Sequence, residues 1–247
     1  MSGPHEPKGE LVRREVGEVL GRLSGESLDR SERGRLLARL TRLLAEGVRT
    51  AGARAALTGR YLTDALTEVA PHIQVRDLPA LRRQHEDLAG DQLAEALVSE
   101  AARTTAAIGA AGGAVAAIAH AAPPAVILAP LHLAAETLAV VAVELKLVAE
   151  LHVVYRRTPA GPSGQVAVAY LSSWADKRGL DVRDGAPSLG LVLGAAARQQ
   201  LRTRLVRRLG RNVTTLAPFL AGALAGAELN RRETRSLGDK LVADLRR

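Results

Sequence analysis

The sequence predicts an all-α protein, a helical bundle of about seven to nine helices around a central Ala/Gly-rich helical hairpin. Apolar residues recur every three to four positions along most of the chain, which is typical of helices with one buried face. Runs of β-branched residues with a period of two, typical of strands, are absent. Hydrophobic residues make up 47% of the chain but aromatic residues only 2%, so we expect a core of Ala, Leu and Val. Of these, Ala and Leu favour helix.

The composition divides the chain into three regions, which we expect to form one continuous domain. Residues 1–9 are polar, contain two prolines and are predicted to be disordered. Residues 10–75 form a more polar helical region, and residues 76–247 form the main helical core. With 247 residues, the chain is long enough to bury a sizeable core.

Helical segments are predicted from apolar periodicity and from the positions of Gly and Pro. They cover residues 10–23, 30–50, 58–70, 79–89, 91–120, 131–156, 164–178, 189–209 and 214–246. Asp29 and Glu32 have the spacing of a capping box at the start of the second helix. Gly179 is well placed to end the seventh helix, and Ser188 to cap the eighth. The last helix is predicted to be continuous or broken near residues 229–233.

Residues 104–135 form a run of 32 residues without a formal charge, although 24% of the chain is charged. Pro123-Pro124 divides the run, and the next predicted helix starts after Pro130. Of the 19 residues 104–122, ten are Ala and three are Gly, which favours close helix packing over membrane insertion. We therefore expect a buried helical hairpin. A hairpin that lies on or enters a bilayer, and a two-pass anchor, stay open as alternatives.

The sixth predicted helix carries a narrow polar stripe. At 100° per residue, His132, Glu136, Lys146 and Glu150 share one side of the helix. The first two have the spacing of a metal pair and the last two that of an ion pair, but no HExxH motif completes a site. The ordinary interpretation is a stripe that faces water or pairs with arginine from another helix. Glu144 lies nearer the buried side and is the best candidate for a paired, perturbed carboxylate.

The basic residues are concentrated near the C-terminus. Residues 198–247 hold twelve basic and four acidic side chains, so their excess of eight equals the net charge of the whole chain, +8. The candidate residues for binding an anionic surface lie in a segment without an acid and are Arg198, Arg202, Arg204, Arg207, Arg208 and Arg211. A basic amphipathic helix suits anionic lipid headgroups or the phosphates of a nucleic acid. A solvated basic face is the simpler alternative.

Several classes of protein are disfavoured. The chain has no cysteine, which excludes disulfides, thiol chemistry and zinc sites with Cys ligands. It has no nucleotide-binding loop or serine hydrolase motif, so we expect no cofactor and no catalytic residues, and we favour a non-enzymatic protein over an enzyme that uses His132, Glu136 and Glu150. The N-terminus lacks the apolar core of a signal peptide, so we expect a cytoplasmic protein. A position peripheral to or embedded in the inner membrane stays open as an alternative.

Three segments resemble EcsC-family bacterial proteins. They are AARTTAAIGAAGGAVAAIA (101–119), ETLAVVAVELKLVAELHVVY (136–155) and APFLAGALAGAELNRRETRSLG (217–238), and the match covers about residues 90–247. The chain departs from the family pattern after Tyr155, where Gly is expected and Arg156 is found. The resemblance implies a bacterial helical protein linked to membrane or transport functions, and it supplies no catalytic residues.

Three functions are compatible with these patterns. The first is a non-enzymatic helical protein that acts at the cytoplasmic membrane surface or with a membrane- or transport-associated partner. It is favoured because it uses both the uncharged hairpin and the basic C-terminal helices. The second is a basic nucleic-acid-associated protein, which is disfavoured by the small number of aromatic residues for base stacking. The third is a metal- or ligand-binding helical protein that uses the face of His132 and Glu136.

Overall fold

The computed structural model describes residues 8–25, 28–51, 73–120, 125–179 and 219–247. In these ranges all regular secondary structure is helical, which confirms the predicted all-α bundle. The helices are α1 (Lys8–Leu23), α2 (Arg30–Ala51), α3 (Leu78–Gln84), α4 (Gly90–His120), α5 (Ala125–Val154), α6 (Ser163–Lys177) and α7 (Phe219–Leu245). The predicted helices over 58–70 and 189–209, and the predicted cap Ser188, lie outside the described residues.

Local signals explain where two of the helices begin and end. The Glu32 backbone N–H donates to the Asp29 carboxylate at 2.8 Å, and the Asp29 N–H donates to the Glu32 carboxylate at 3.0 Å. This reciprocal pair is the predicted capping box, and α2 starts directly after it. α6 ends at Lys177, and Gly179 has a φ of +69°, as expected for the predicted helix stop.

α4 and α5 form the central hairpin and run antiparallel. Near the connection, His132 Nε2 lies 2.8 Å from the Gly112 carbonyl oxygen. At the other end, the Tyr155 hydroxyl donates to Asp91 at 2.7 Å. The described side chains of the uncharged run, in residues 104–112 and 131–135, are buried or half-buried. This part of the run therefore packs inside the protein.

α7 packs against α4 through small residues and runs antiparallel to it. A Cβ atom on Gly109 would lie 2.7 Å from the Gly226 carbonyl oxygen, so the two backbones approach closely. The Asn230 amide donates to the Thr105 carbonyl at 3.1 Å. The buried amide thereby gains the partner that a polar group needs away from water.

α5 is the central helix of the bundle. From 132 to 154 its side chains are buried, except the half-buried Lys146 and Val153. α2 packs against α4 and α5, α1 against α2 and α5, and α6 against α5 and α7. Buried side chains of α1 and α2 belong to the same hydrophobic core as those of α4, α5 and α7. A helix that is covered on all sides must pair its polar groups internally.

Two predicted helix boundaries are wrong. In the first case a turn ends the helix early, and in the second the helix includes a proline near its start. α3 ends at Gln84 instead of 89, because Glu86 and Asp87 adopt left-handed backbone angles with φ of 51° and 61°. α5 starts at Ala125 and includes Pro130, which was predicted to precede it. Pro130 is the sixth residue of the helix, next to the N-terminal turn in which the N–H groups have no intrahelical acceptor. Its missing N–H therefore removes only one of the first hydrogen bonds of the helix.

Two further helix boundaries also differ from the prediction. α7 is continuous through residues 229–233, where a break was one of the predictions. Within this run the buried Asn230 donates to Thr105 of α4, and directly after it Thr234 donates to Glu144 of α5. These contacts stabilise the continuous helix. α1 starts at Lys8, inside the region predicted to be disordered.

The end of α5 holds a non-glycine residue in a conformation that favours glycine. Arg156 has a φ of 55°, in the left-handed region. The Arg157 N–H donates to the His152 carbonyl at 2.9 Å, and the Arg156 N–H donates to the Val153 carbonyl at 3.2 Å. These two bonds form a Schellman motif, in which glycine is common at the position of Arg156. The EcsC-like pattern has its expected Gly at this same position.

Candidate functional site

The five residues of the predicted polar site are spread along α5 and do not form a single site. His132, Glu136, Glu144 and Glu150 are buried, and the Lys146 side chain is only 13% exposed. Of the two alternatives for the stripe, facing water is wrong because these residues are buried, whereas pairing with arginine is found for Glu150. Its partner, Arg76, comes from a non-helical segment and not from another helix. The residues divide among three separate polar clusters, each with partners from other parts of the chain.

The first group, the Glu150 cluster, consists of Arg76, His85, Glu100, Lys146 and Glu150. The Arg76 guanidinium binds the Glu150 carboxylate with two parallel hydrogen bonds, each of 2.7 Å. Arg76 Nη2 also lies 3.4 Å from Glu100, and Lys146 Nζ lies 3.9 Å from Glu150. A bidentate pair of this kind is among the stronger polar contacts in proteins. It fastens the segment before α3 to both helices of the hairpin.

One side of the Glu150 cluster is incompletely paired. His85 Nε2 lies 3.1 Å from Glu100 Oε2, but neither of these buried atoms has a hydrogen bond with acceptable geometry. A cleft of about 10 Å³ lies beside the cluster, between Leu97, Val143 and Lys146. A space of this size holds about one water molecule. It is too small for an organic substrate.

The second group, the Glu144 cluster, consists of Glu144, Trp174, Arg178, Glu233 and Thr234. The Glu144 carboxylate accepts hydrogen bonds from the Trp174 indole N–H and the Thr234 hydroxyl, both at 2.9 Å, and from the Arg178 guanidinium. Arg178 Nη1 also lies 3.6 Å from Glu233. The expected pairing of Glu144 is thus present, and it joins α5 to α6 and α7.

The third group surrounds His132 in the contact between α2, α4 and α5. His132 Nε2 must donate its hydrogen to the Gly112 carbonyl, because a carbonyl oxygen can only accept. Nδ1 lies 3.3 Å from the Thr41 hydroxyl, so both ring nitrogens face protein atoms. The Glu136 carboxylate lies over Gly112, where a Cβ atom would come within 2.6 Å of Oε2. His132 and Glu136 therefore both contact Gly112 of α4, and the metal site suggested by their spacing stays a prediction. In the described part of the chain, no group of three or more His, Cys, Asp or Glu side chains is close enough to hold a metal ion.

The described basic residues of α7 are largely paired with acids. Arg231 and Arg232 both bind Glu228, at 2.9 and 2.5 Å, and these hydrogen bonds lower the pKa of Glu228 to about 2. Arg235 binds Glu95 of α4 at 2.6 Å. The positive charge of α7 is thus partly neutralised by its own acids and by those of α4.

The far end of α7 is paired in the same way. Arg246 donates to Asp91 at 2.9 Å, and the Tyr155 hydroxyl donates to the same oxygen. These hydrogen bonds lower the pKa of Asp91, that of Tyr155 having the larger effect. Burial first, and the bond to Asp91 second, raise the pKa of Tyr155. The six arginines predicted to bind an anionic surface, Arg198 to Arg211, lie outside the described residues.

Sequence reasoning missed the cationic partners of the buried carboxylates. Arg76 lies in a non-helical segment, 74 residues before Glu150, and no periodic pattern marks it. Arg178 follows the last residue of α6, where a basic side chain is common for reasons of helix capping. Neither position carries a local signal that identifies its partner.

Comparisons with known proteins give no assignment. The chain matches no family model, no curated protein and no solved structure. The resemblance to EcsC-family proteins therefore has no support from these comparisons. In the described part of the chain, no helix has both the length and the hydropathy needed to cross a membrane.

Proposed function

We propose that this protein is a non-enzymatic helical protein that binds an anionic membrane surface through its basic C-terminal region. The observation that carries the proposal is the distribution of charge along the sequence. Residues 1–197 contain equal numbers of basic and acidic side chains, so the whole net charge of +8 comes from residues 198–247.

Within that region the surplus is concentrated in one segment. The acids Glu228 and Glu95 pair with arginines of α7, and Asp91 pairs with Arg246 directly after it. Residues 198–211 contain six arginines and no acid. Arginines near an anionic leaflet contribute about 1 kcal/mol each to binding, so six could support peripheral attachment.

The polar groups of the described core support a structural role over a catalytic one. The Glu144 and Glu150 carboxylates are used to hold segments together, and the cleft beside Glu150 has room for about one water. An enzyme pocket for a small molecule usually has a volume of about 300–1,000 Å³. An EcsC-like membrane or transport function belongs to the same proposal and rests on the three sequence segments alone.

A lipid surface is favoured over nucleic acid by the positions of the aromatic residues. Proteins that bind single strands stack bases on exposed aromatic rings. The chain has five aromatic residues, and Trp174 is fully buried with its N–H bonded to Glu144. Tyr155 and Tyr170 pack against the core.

Vesicle flotation tests the proposal. The protein is expected to float with vesicles of phosphatidylglycerol and phosphatidylcholine at low salt, about 50 mM, and to be released at about 500 mM, because salt screens exposed charges. It is expected not to float with phosphatidylcholine alone. Absence of flotation at low salt would contradict the proposal. A gel shift of duplex DNA without flotation would favour the nucleic-acid alternative.

Two double variants that lose the same charge distinguish the contribution of the basic segment to vesicle binding from that of α7. Arg204→Gln with Arg207→Gln should weaken vesicle binding roughly thirtyfold, since about 2 kcal/mol of attraction is lost. Arg231→Gln with Arg232→Gln removes the same charge from exposed residues that already share Glu228, and should weaken binding much less. Equal effects of both variants would show that net charge alone, and not this segment, determines binding.

A further inference from the structure

We infer that Glu100 and Glu150 form a guanidinium-binding site that the protein fills with its own Arg76, and that a small external guanidinium compound can take the place of Arg76. Arg76 belongs to residues 73–89, which we name the strap and which include α3. Arg76 then acts as an autoinhibitory contact, and the strap acts as a lid. The inference goes beyond the proposed function and does not depend on it.

The receptor groups and the bound group come from different parts of the fold. Glu100 lies on α4 and Glu150 on α5, the two helices of the central hairpin. Both oxygens of Glu150 accept hydrogen bonds of 2.7 Å from Arg76, one from Nε and one from Nη2, and Nη2 also lies 3.4 Å from Glu100 Oε1. This planar, two-pronged contact fits a guanidinium group. Movement of the strap would therefore empty the site and leave both carboxylates in place on the hairpin.

The two carboxylates have capacity for a further hydrogen-bond donor. Glu100 is 8% exposed, and its Oε2 is buried without a hydrogen bond. Once Arg76 leaves, Glu100 and Glu150 carry two negative charges, and the nearby Lys146 carries one positive charge. A single cation with several N–H donors would compensate the remaining charge and offer Glu100 Oε2 a donor.

The cleft beside the cluster provides part of the space for a ligand. Arg76 forms one wall of this cleft, and Glu100 and Glu150 line it as well. While Arg76 is in place, the cleft of about 10 Å³ holds about one water molecule. Withdrawal of Arg76 joins the cleft to the space of the arginine side chain, which is sufficient for a guanidinium group with a short substituent. Leu97 and Val143 line the cleft and would contact that substituent.

The strap has few of the contacts that hold a segment firmly to a protein. The structure describes the whole strap, and Leu81 is its only fully buried side chain. Glu86 and Asp87 adopt left-handed backbone angles, with φ of 51° and 61°, which residues other than glycine adopt at a cost. Segments with few buried apolar contacts open locally while the rest of the protein stays folded. The contact of Arg76 is thus the main polar fastening of a segment that is suited to open.

Thermal unfolding tests the site in Arg76→Ala, in which the internal guanidinium is absent. Methylguanidinium is the probe, because it carries the donor group of arginine without the rest of the side chain. With a dissociation constant of about 1 mM, which is within reach of so small a ligand, about 10 mM of the ion should raise the Tm by about 4 °C. The wild type, whose site is filled, should show no rise. NaCl at the same concentration controls for ionic strength.

Arg76→Ala combined with Glu150→Gln is the matched control. It lacks the carboxylate that binds a guanidinium with two hydrogen bonds, and both charges of the pair are removed together, which a fold tolerates better than the loss of one. Methylguanidinium should not raise its Tm. No rise for Arg76→Ala, or an equal rise for the single and the double variant, would overturn the inference.

Hydrogen exchange tests the opening of the strap in the wild type and needs no variant. The N–H groups of Leu81, His85 and Asp87 bond to carbonyl groups of the strap itself. A detached helix of seven residues is unstable, so these amides exchange when the strap opens. About 10 mM methylguanidinium should speed their exchange about tenfold by binding the open state, and should leave the amides of α5 unchanged. NaCl should have no effect.

The exchange results also decide whether an external ligand replaces Arg76. If the strap amides do not respond to methylguanidinium, the lid is wrong even where Arg76→Ala binds the ion. Faster exchange of all amides to the same extent would show general destabilisation and would equally count against the inference. Neither experiment uses vesicles, so failure of this inference leaves the proposed function untouched.

Discussion

Glu144 and Glu150 lie six residues apart on α5, and both are buried and paired with arginine, yet their surroundings differ. Glu144 has hydrogen-bond donors from a tryptophan, a threonine and an arginine, which come from two other helices. Glu150 receives the bidentate bonds of Arg76 beside a cleft, and the nearby Glu100 Oε2 is buried without a hydrogen bond.

The two arginines differ in how many partners remain when the buried carboxylate is removed. Arg76 has Gln84 and Glu100 as additional partners, so loss of one carboxylate leaves its charge partly compensated. Arg178 has only Glu233, at 3.6 Å, among the other described carboxylates, and the indole N–H and the Thr234 hydroxyl also depend on Glu144. The cost of removing a buried carboxylate is determined by the groups that it leaves unpaired.

The largest effect is expected for Glu144→Ala. It leaves Arg178 with a poorly compensated buried charge and two donors without an acceptor, so the free energy of unfolding should fall by about 3–5 kcal/mol. Urea unfolding followed by the fluorescence of Trp174, the only tryptophan, measures the loss at the cluster itself.

Glu233→Ala is the control for that variant. It removes the other, more exposed carboxylate near Arg178 and should cost less than about 1 kcal/mol. If Glu144→Ala lowered the free energy of unfolding by less than about 1 kcal/mol, its carboxylate would contribute no more than an exposed ion pair. The proposed difference between the two clusters would then be wrong.

Glu150→Ala should have a smaller effect, about 2–3 kcal/mol, the range for hydrogen bonds to charged groups. Gln84 and Glu100 still bind Arg76 in this variant. The comparison with Glu144→Ala under the same urea conditions is the direct measurement. An equal or larger loss for Glu150→Ala would reverse the ranking of the two clusters.

Gly109→Ala tests whether the close contact of α4 and α7 supports the Glu144 cluster, because α7 carries Thr234. The added Cβ would lie 2.7 Å from the Gly226 carbonyl oxygen, so α7 must shift, at a cost of about 2 kcal/mol. We expect altered Trp174 fluorescence in the folded state, which reports on the cluster.

Gly34→Ala is the matched control for the previous variant. Gly34 lies inside α2 with nothing within 4 Å of an added Cβ, so this change should stabilise the protein by about 0.5–1 kcal/mol. If Gly109→Ala stabilised the protein to the same extent, the two helices could not be in close contact.

The smallest effect is expected for Arg156→Gly at the end of α5, the helix that carries both carboxylates. Glycine adopts the left-handed backbone without strain, so the free energy of unfolding should rise by about 1 kcal/mol. The change should stabilise the wild type, Glu144→Ala and Glu150→Ala by the same amount. Equal gains would show that neither glutamate variant alters the end of α5. Arg157→Gly removes the same charge without relief of a left-handed residue, and a gain of equal size there would exclude this explanation.

The sequence by itself determined where most helices form, because the responsible interactions are local. The capping box of Asp29 and Glu32, the stop at Gly179 and the apolar faces of α1 and α2 involve neighbours along the chain. The expected pairing of Glu144 was also visible, since its angular position on α5 places it nearer the buried side. The basic segment, by contrast, remains a prediction from composition.

Only the tertiary structure decided the partners and the exceptions. Arg76 and Glu150 are 74 residues apart, and Gly109 meets Gly226 only because α7 lies antiparallel to α4. The buried contacts of Asn230 and Thr234 keep α7 continuous where local composition suggested a break. Periodicity shows which face of a helix is apolar, but it does not show which helix covers that face. The partner of each buried charge follows from the packing of the whole bundle.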